Sequence, residues 1–287
     1  MVREAVVSGT FYDSDTQILK EQIESSFKSK FGAGALPAKR TNEKIKGVIV
    51  PHAGYSFSAA CASWAYKEIA ESNISGTFLL LGPNHFGYGS GISIEDWRTP
   101  LGLIKTDKDI IRGIKENTNL SINESCHERE HSIEVQLPML QHTNLDMIEK
   151  IRIIPIAVSN DIDYVKLASD LKNYLDSINK KITIIVSSDF THYGKNYNYL
   201  PFTTDVPKRI TELDKGAIDL ILDKDSDGFK KYINKTFITI CGYMPILVFL
   251  EMIKDENEKG HLLMHYTSGD ILSDYKNSVS YASIVFK

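Results

Sequence analysis

The sequence predicts an α/β fold: one domain over residues 1–287, with a mixed, largely parallel sheet flanked by helices. Three observations predict it. Four short apolar runs rich in β-branched residues have strand length and no alternation, the pattern of strands buried on both faces. Amphipathic stretches at helical spacing separate them, and alternating strands and helices imply a parallel arrangement. Near the carboxyl end, two segments alternate with period two and read as added strands.

Taken in chain order, Leu19, Ile23 and Phe27 mark a first helix. The segment KSKFGAGALPAKRTNEK (28–44) is the loosest in the chain, but a boundary there would leave a first domain too small to stand alone. GVIV (47–50) and TFLLL (77–81) are the first two buried strands. Ile110, Ile111 and Ile114 follow Thr106 on a helix face. IRIIPIAV (151–158) is the third strand, and the acidic start DIDY introduces a helix carrying Leu167, Leu171, Leu175 and Ile178. ITIIV (182–186) is the fourth strand, while HLLMHYTSG and SVSYASIVF are the period-two segments, expected as antiparallel additions. No internal repeat or low-complexity tract interrupts this order.

Composition narrows the partners. Apolar residues make up 42% of the chain, charged residues 24%, and the net charge is -4, which argues against nucleic acid because phosphate binding wants a basic field. The opening MVREAVVSGTFYDSD lacks a signal-peptide core, and no stretch approaches the roughly 18 apolar residues of a membrane span. A cytoplasmic setting is the expectation, with neither membrane nor nucleic acid as partner. Cys61, Cys126 and Cys241 are odd in number and widely separated, so they form no disulfide framework and no CxxC motif.

In open α/β sheets ligands bind beyond the carboxyl ends of the strands, so the residues just after each apolar run matter most. GVIV runs into Pro51, His52, Ala53 and Gly54, and TFLLL into Gly82, Pro83, Asn84 and His85. ITIIV runs into Ser187, Ser188, Asp189 and, a turn later, His192. Three histidines and an aspartate are expected to converge on one edge, where proline and glycine turns aim side chains from a rigid scaffold. A single strand-end histidine would more often be structural; the coincidence of three favours a metal site or catalytic base.

Cys241 precedes GYMPILVFLEMI, in which Pro245 suits the first turn of a helix. Its thiol is expected near that helix N-terminus, where the dipole lowers the pKa and favours the metal-binding thiolate. Cys61, in ACASWAY, reads as core. His127, Glu128 and His131 spell HExxH, the zinc-hydrolase pattern when it lies within a helix. Here the apolar periodicity of Ile133, Val135, Leu137 and Leu140 begins only after it, and Ser132 with Val135 and Gln136 looks like a helix start. The zinc-hydrolase reading is therefore the weakest, though His131 stays a candidate acid/base. His142 reads as a solvated helix-end residue, and His261 and His265 lie too far apart on a strand to chelate one ion.

Several long motifs carry a resemblance: REAVVSGTFY, PHAGYSFS, LGPNHFG, HEREHSIEVQLP, SSDFTHYG, CGYMPI, HYTSGD and SVSYASIVF. Together they span almost the whole chain, which resembles the MEMO1 family. The resemblance implies a fold similar to class III extradiol dioxygenases of the LigB type, which hold non-haem iron with two histidines and a glutamate and use another histidine as base. Carried onto this chain, His52 and His85 match the metal-site histidines, Cys241 takes the third-ligand place, and Asp189 and His192 line the pocket. A thiolate is softer than a carboxylate and favours copper(I), zinc or thiolate-bound iron. The resemblance also implies a pathway link to AMMECR1-type and radical SAM proteins.

The expected function is thus an iron- or copper-binding redox protein with a dioxygenase-like pocket, acting on a small-molecule or peptide ligand. His192 handles protons, assisted by Asp189, with His131 nearby. The alternative is a non-catalytic binding module whose dioxygenase site is vestigial.

Overall fold

Each buried strand sends alternate side chains to opposite faces, so an all-apolar run builds two cores at once. In the computed structural model, which describes every residue except Ser75 and Tyr88, Val48 and Val50 enter one apolar cluster and Ile49 the other. Phe78 and Leu80 likewise oppose Leu79 and Leu81.

The strands are β1 (Val2–Arg3), β2 (Gly47–Val50), β3 (Thr77–Pro83), β4 (Gly91–Ile92), β5 (Asp96–Thr99) and β6 (Gly102–Thr106). They continue as β7 (Ser121–Ile122), β8 (Arg152–Val158), β9 (Thr183–Ser187), β10 (His192–Gly194), β11 (Gly260–Thr267) and β12 (Asn277–Phe286). Among the described residues they form one sheet in the order β1-β5-β6-β8-β3-β9-β2-β12-β10, with β11 on β12, the short β4 on β8 and β7 on β4. The run β6-β8-β3-β9-β2 is parallel throughout. Antiparallel β12 closes it, pairing with β2, β11 and β10. The expected mixed, largely parallel sheet is therefore present, as is the antiparallel pairing of the two C-terminal segments.

The helices are α1 (Thr16–Lys28), α2 (Tyr55–Glu71), α3 (Lys108–Asn117), α4 (Gln136–Thr143) and α5 (Tyr164–Ser177), followed by α6 (Val206–Leu222), α7 (Ser226–Thr236), α8 (Tyr243–Ile253) and α9 (Ser268–Leu272). Buried residues of α1, α2 and α4 belong to the cluster on one face, and those of α3, α5, α6, α7 and α8 to the cluster on the other. Asp15 starts α1 by accepting from the N–H of Gln17 at 2.8 Å and of Ile18 at 3.0 Å, a cap worth about 1 kcal/mol. The stripe Leu19, Ile23 and Phe27 is then fully buried, each side chain contributing roughly 1.5–3 kcal/mol. Asp107 and Asp163 cap α3 and α5 in the same way.

α4 begins at Gln136, later than the expected start at Ser132, because residues 132–135 form turns. No described helix is long and apolar enough to cross a membrane.

Candidate metal centre

β2, β3 and β9 run parallel and in register, Val50 opposite Ser187 and Leu81 opposite Val186, so their carboxyl ends stop at one level. The residues that follow therefore meet. His52, His85 and Cys241 each offer a ligand atom, and these atoms all lie within 4.8 Å of one another. Cys241 comes from the loop before α8, and its Sγ stands 3.2 Å from His52 Nε2. A third imidazole joins them: the His131 ring centroid is 4.9 Å from that of His85 and 5.4 Å from that of His52.

Hydrogen bonds settle the tautomer of His52. The single Ser187 hydroxyl proton is donated to Ser132 O at 2.6 Å, so Ser187 Oγ can only accept from His52 Nδ1 at 2.8 Å. Gln136 Nε2 donates to the same Oγ at 2.9 Å. His52 therefore carries its proton on Nδ1 and turns the Nε2 lone pair toward Cys241. His192 is fixed similarly, since among the described residues its Nδ1 meets two carbonyl acceptors, Phe190 O at 2.9 Å and Thr239 O at 3.0 Å. Its Nε2 lone pair is left for proton acceptance. Tyr197, 40% exposed, packs its ring edge-on at 5.2 Å from His192.

Asp189 does not hydrogen-bond the His192 Nδ1, contrary to the simplest picture of an orienting carboxylate. Its Oδ1 accepts from the N–H of His52 at 2.8 Å and of Ala53 at 3.3 Å, clamping the loop after β2. Burial raises its pKa, against the opposing pull of His192 and the two N–H donors.

Burial also decides the other protonation states. His52 is held well below the ordinary imidazole range, by burial first and then by the neighbouring His85, His131 and His192. Burial takes His131 down to about 4. Cys241 departs from expectation: burial and the charge of Asp189 push its thiol up, and the start of α8 does not offset them. Bringing an isolated thiolate into this desolvated place is unfavourable, whereas a bound cation would supply the compensating charge.

Glu130 is a residue that motif reading missed. Wholly buried, it accepts through Oε2 from His85 N at 2.5 Å and through Oε1 from His85 Nδ1 at 2.9 Å, His131 N at 2.9 Å and Ser132 N at 2.8 Å. Burial alone would raise its pKa, but the bonds and charge of His85 and the N–H of Ser132 win and lower it to about 2. Its place beside His131 was the one available signal, and a weak one, since Glu128, Arg129 and Glu134 share the segment.

HExxH does not survive as a zinc motif. His127 is buried away from the centre, its Nε2 donating to Gly91 O at 3.1 Å, while Glu128 is exposed and the segment is not helical. Only His131 reaches the site. His142 is less solvated than expected, pairing with Glu24 at 3.4 Å. His265 Nε2 faces buried Asp214 at 2.8 Å, and Cys61 lies in a core cluster with Tyr266 and Tyr281. Neither contributes to the centre, in line with the sequence reading.

Fold and site thus define a class: an α/β protein with a mostly parallel sheet and a His–His–Cys cluster at the strand carboxyl ends. A family model described as Memo-like protein matches residues 3–285. A MEMO1 family protein of Methanococcus maripaludis (strain C5) is 39% identical, with 100% of both chains covered. Another from Nitrosopumilus maritimus is 36% identical over 100% of both, and one from Methanocaldococcus jannaschii is 34% identical over 99% of this chain and 98% of that one. This chain belongs to the MEMO1 family. The crystal structure of an uncharacterized protein from Escherichia coli K12 shares the fold alone, with a TM-score of 0.51 at 11% identity, covering 85% of this chain and 100% of that one.

Proposed function

We propose that this chain is a metal-binding redox protein that holds iron or copper through His52, His85 and Cys241 and acts on a small-molecule or peptide ligand in a dioxygenase-like pocket. One observation carries the reading: two imidazoles and a thiol from three separate segments bring their ligand atoms within 4.8 Å of one another. The donor set fits a soft or borderline transition metal and not a hard one.

Bound iron or copper would supply one-electron redox chemistry. The chain's own residues do the rest. His52 presents its Nε2 lone pair because Ser187 holds the proton on Nδ1. His192 Nε2 accepts a proton from the ligand, because Nδ1 already donates its own proton to backbone carbonyls. His131, neutral near pH 7 and with its ring beside those of His52 and His85, is the second proton-handling candidate. A cytoplasmic setting and a pathway link to AMMECR1-type and radical SAM proteins belong to this reading and rest on the family resemblance.

The test is elemental analysis of protein purified anaerobically without a metal-binding tag. Wild type is expected to carry stoichiometric iron or copper, and both the His52→Ala/His85→Ala variant and Cys241→Ser to lose at least nine-tenths of it while keeping their circular dichroism. Metal retained at wild-type level in the double variant would overturn the site. Wild type that stays empty even after reconstitution would favour the non-catalytic binding module.

A further inference from the structure

We propose that Glu130 is a positioning residue that fixes His85 as the Nδ1–H tautomer and thereby leaves the lone pair of Nε2 ready for a ligand role. The tautomer half stands on hydrogen bonding alone; the ligand half rests on the metal-binding reading above.

A carboxylate accepts and never donates, so the 2.9 Å contact between His85 Nδ1 and Glu130 Oε1 places the proton on Nδ1. The grip is two-pronged, because the backbone N–H of the same histidine donates to the other oxygen, Oε2, at 2.5 Å. Backbone and ring of one residue are thus held by the two oxygens of one carboxylate, which restricts rotation of the imidazole. Oε1 is itself anchored by the N–H groups of His131 and Ser132 at 2.9 and 2.8 Å. Glu130 cannot swing away without leaving buried donors unpaired.

The comparison with His52 shows why a charge is used here. His52 is 2% exposed and is held by packing and a neutral hydroxyl. His85 is exposed where His52 is buried, so packing restrains it less. A charge-assisted bond to a fully buried carboxylate is stronger than a neutral one and so holds the ring orientation more firmly. Glu130 also staples the 130–132 turn, and a purely structural role would leave the tautomer untouched. That difference makes the proposal testable.

The experiment is long-range 1H–15N correlation of the histidine rings in metal-free protein, followed by zinc(II) titration, for wild type, Glu130→Ala and the milder Glu130→Gln. Wild-type His85 should show protonated Nδ1 and bare Nε2. In Glu130→Ala it should move toward the Nε2–H form that free histidine side chains prefer, with Glu130→Gln shifted less in the same direction. His52, held by Ser187, should keep its tautomer in all three. Zinc affinity should fall by roughly ten- to a hundredfold in Glu130→Ala. Protonated Nε2 on wild-type His85 would overturn the inference outright, even if neither variant folds. So would an affinity loss without a tautomer change, which would reduce Glu130 to a loop staple, or a tautomer change without an affinity loss. If the tautomer shifts as expected but wild type binds no zinc, the metal-binding reading fails and the tautomer assignment stands.

Discussion

His127 is fully buried, with Nε2 donating to Gly91 O and Nδ1 meeting no hydrogen-bond partner among the described residues. Burial lowers its pKa to about 4. Below the unfolded value near 6.5, the unfolded chain binds a proton that the folded chain refuses, so stability falls as pH drops from about 6.5 toward 4. From these two values, His127 alone accounts for about 2 kcal/mol of lost stability between pH 7 and pH 5. His127→Gln keeps a donor for Gly91 and removes the titration. Urea denaturation at pH 7, 6 and 5 should therefore show a shallower pH slope in this variant by about 2 kcal/mol; an unchanged slope would refute the assignment. Residues such as His127 show what motif reading sees. His52, His85, Asp189 and Cys241 were visible because each follows an apolar run or precedes an apolar helix. Glu130 was not, because its role depends on a fold-back that brings the 130–132 turn against the loop after β3.

Among the elements, the junction of β9 with α8 sets the distance between Cys241 and His52. Gly242 N donates to Ser188 Oγ at 3.0 Å, and a Cβ at Gly242 would lie 2.5 Å from Ser188 Cβ and 2.6 Å from Ser187 O. Helix and strand end approach too closely for any side chain there. Gly242→Ala should push the start of α8 away, costing about 1–3 kcal/mol by overpacking and lengthening the 3.2 Å approach of Cys241 Sγ to His52 Nε2. Titration with cobalt(II) should then show a weakened thiolate charge-transfer band; wild-type intensity and affinity would mean that the loop, not the close packing, positions Cys241. Pro245 and the apolar run after it made α8 legible beforehand. The start of α4 was not, since Ile133 and Val135 are as buried in the turns of 132–135 as they would be in a helix. Apolar spacing reports which residues face the core and not whether the backbone between them is helical.

Across the whole molecule, one buried ion pair ties the first residues to the turn that carries Glu130 and His131. Arg3 pairs with Glu134, donates from Nε to His127 O at 3.0 Å and from Nη2 to Glu130 O at 2.6 Å, and stacks 4.1 Å over Trp97. Glu134 in turn accepts from the N–H groups of Val6 and Val7 at 3.0 Å and from Tyr12 Oη at 2.7 Å. These contacts give the REAVVSGTFY motif a physical reason, yet the partners are 131 residues apart and no local pattern announces them. Removing one partner is the costly change, because it strands a charge in a desolvated place: Arg3→Met should lower stability by about 3–5 kcal/mol. Adding Glu134→Gln removes the stranded charge while its amide oxygen still accepts from the Val7 N–H or the Tyr12 hydroxyl. The double variant should therefore be more stable than Arg3→Met alone, a coupling that urea denaturation with unchanged m-values measures directly. Additive losses would mean that the pair is solvated or dispensable, and that the N-terminal segment is held by apolar contacts of Tyr12 and its neighbours instead.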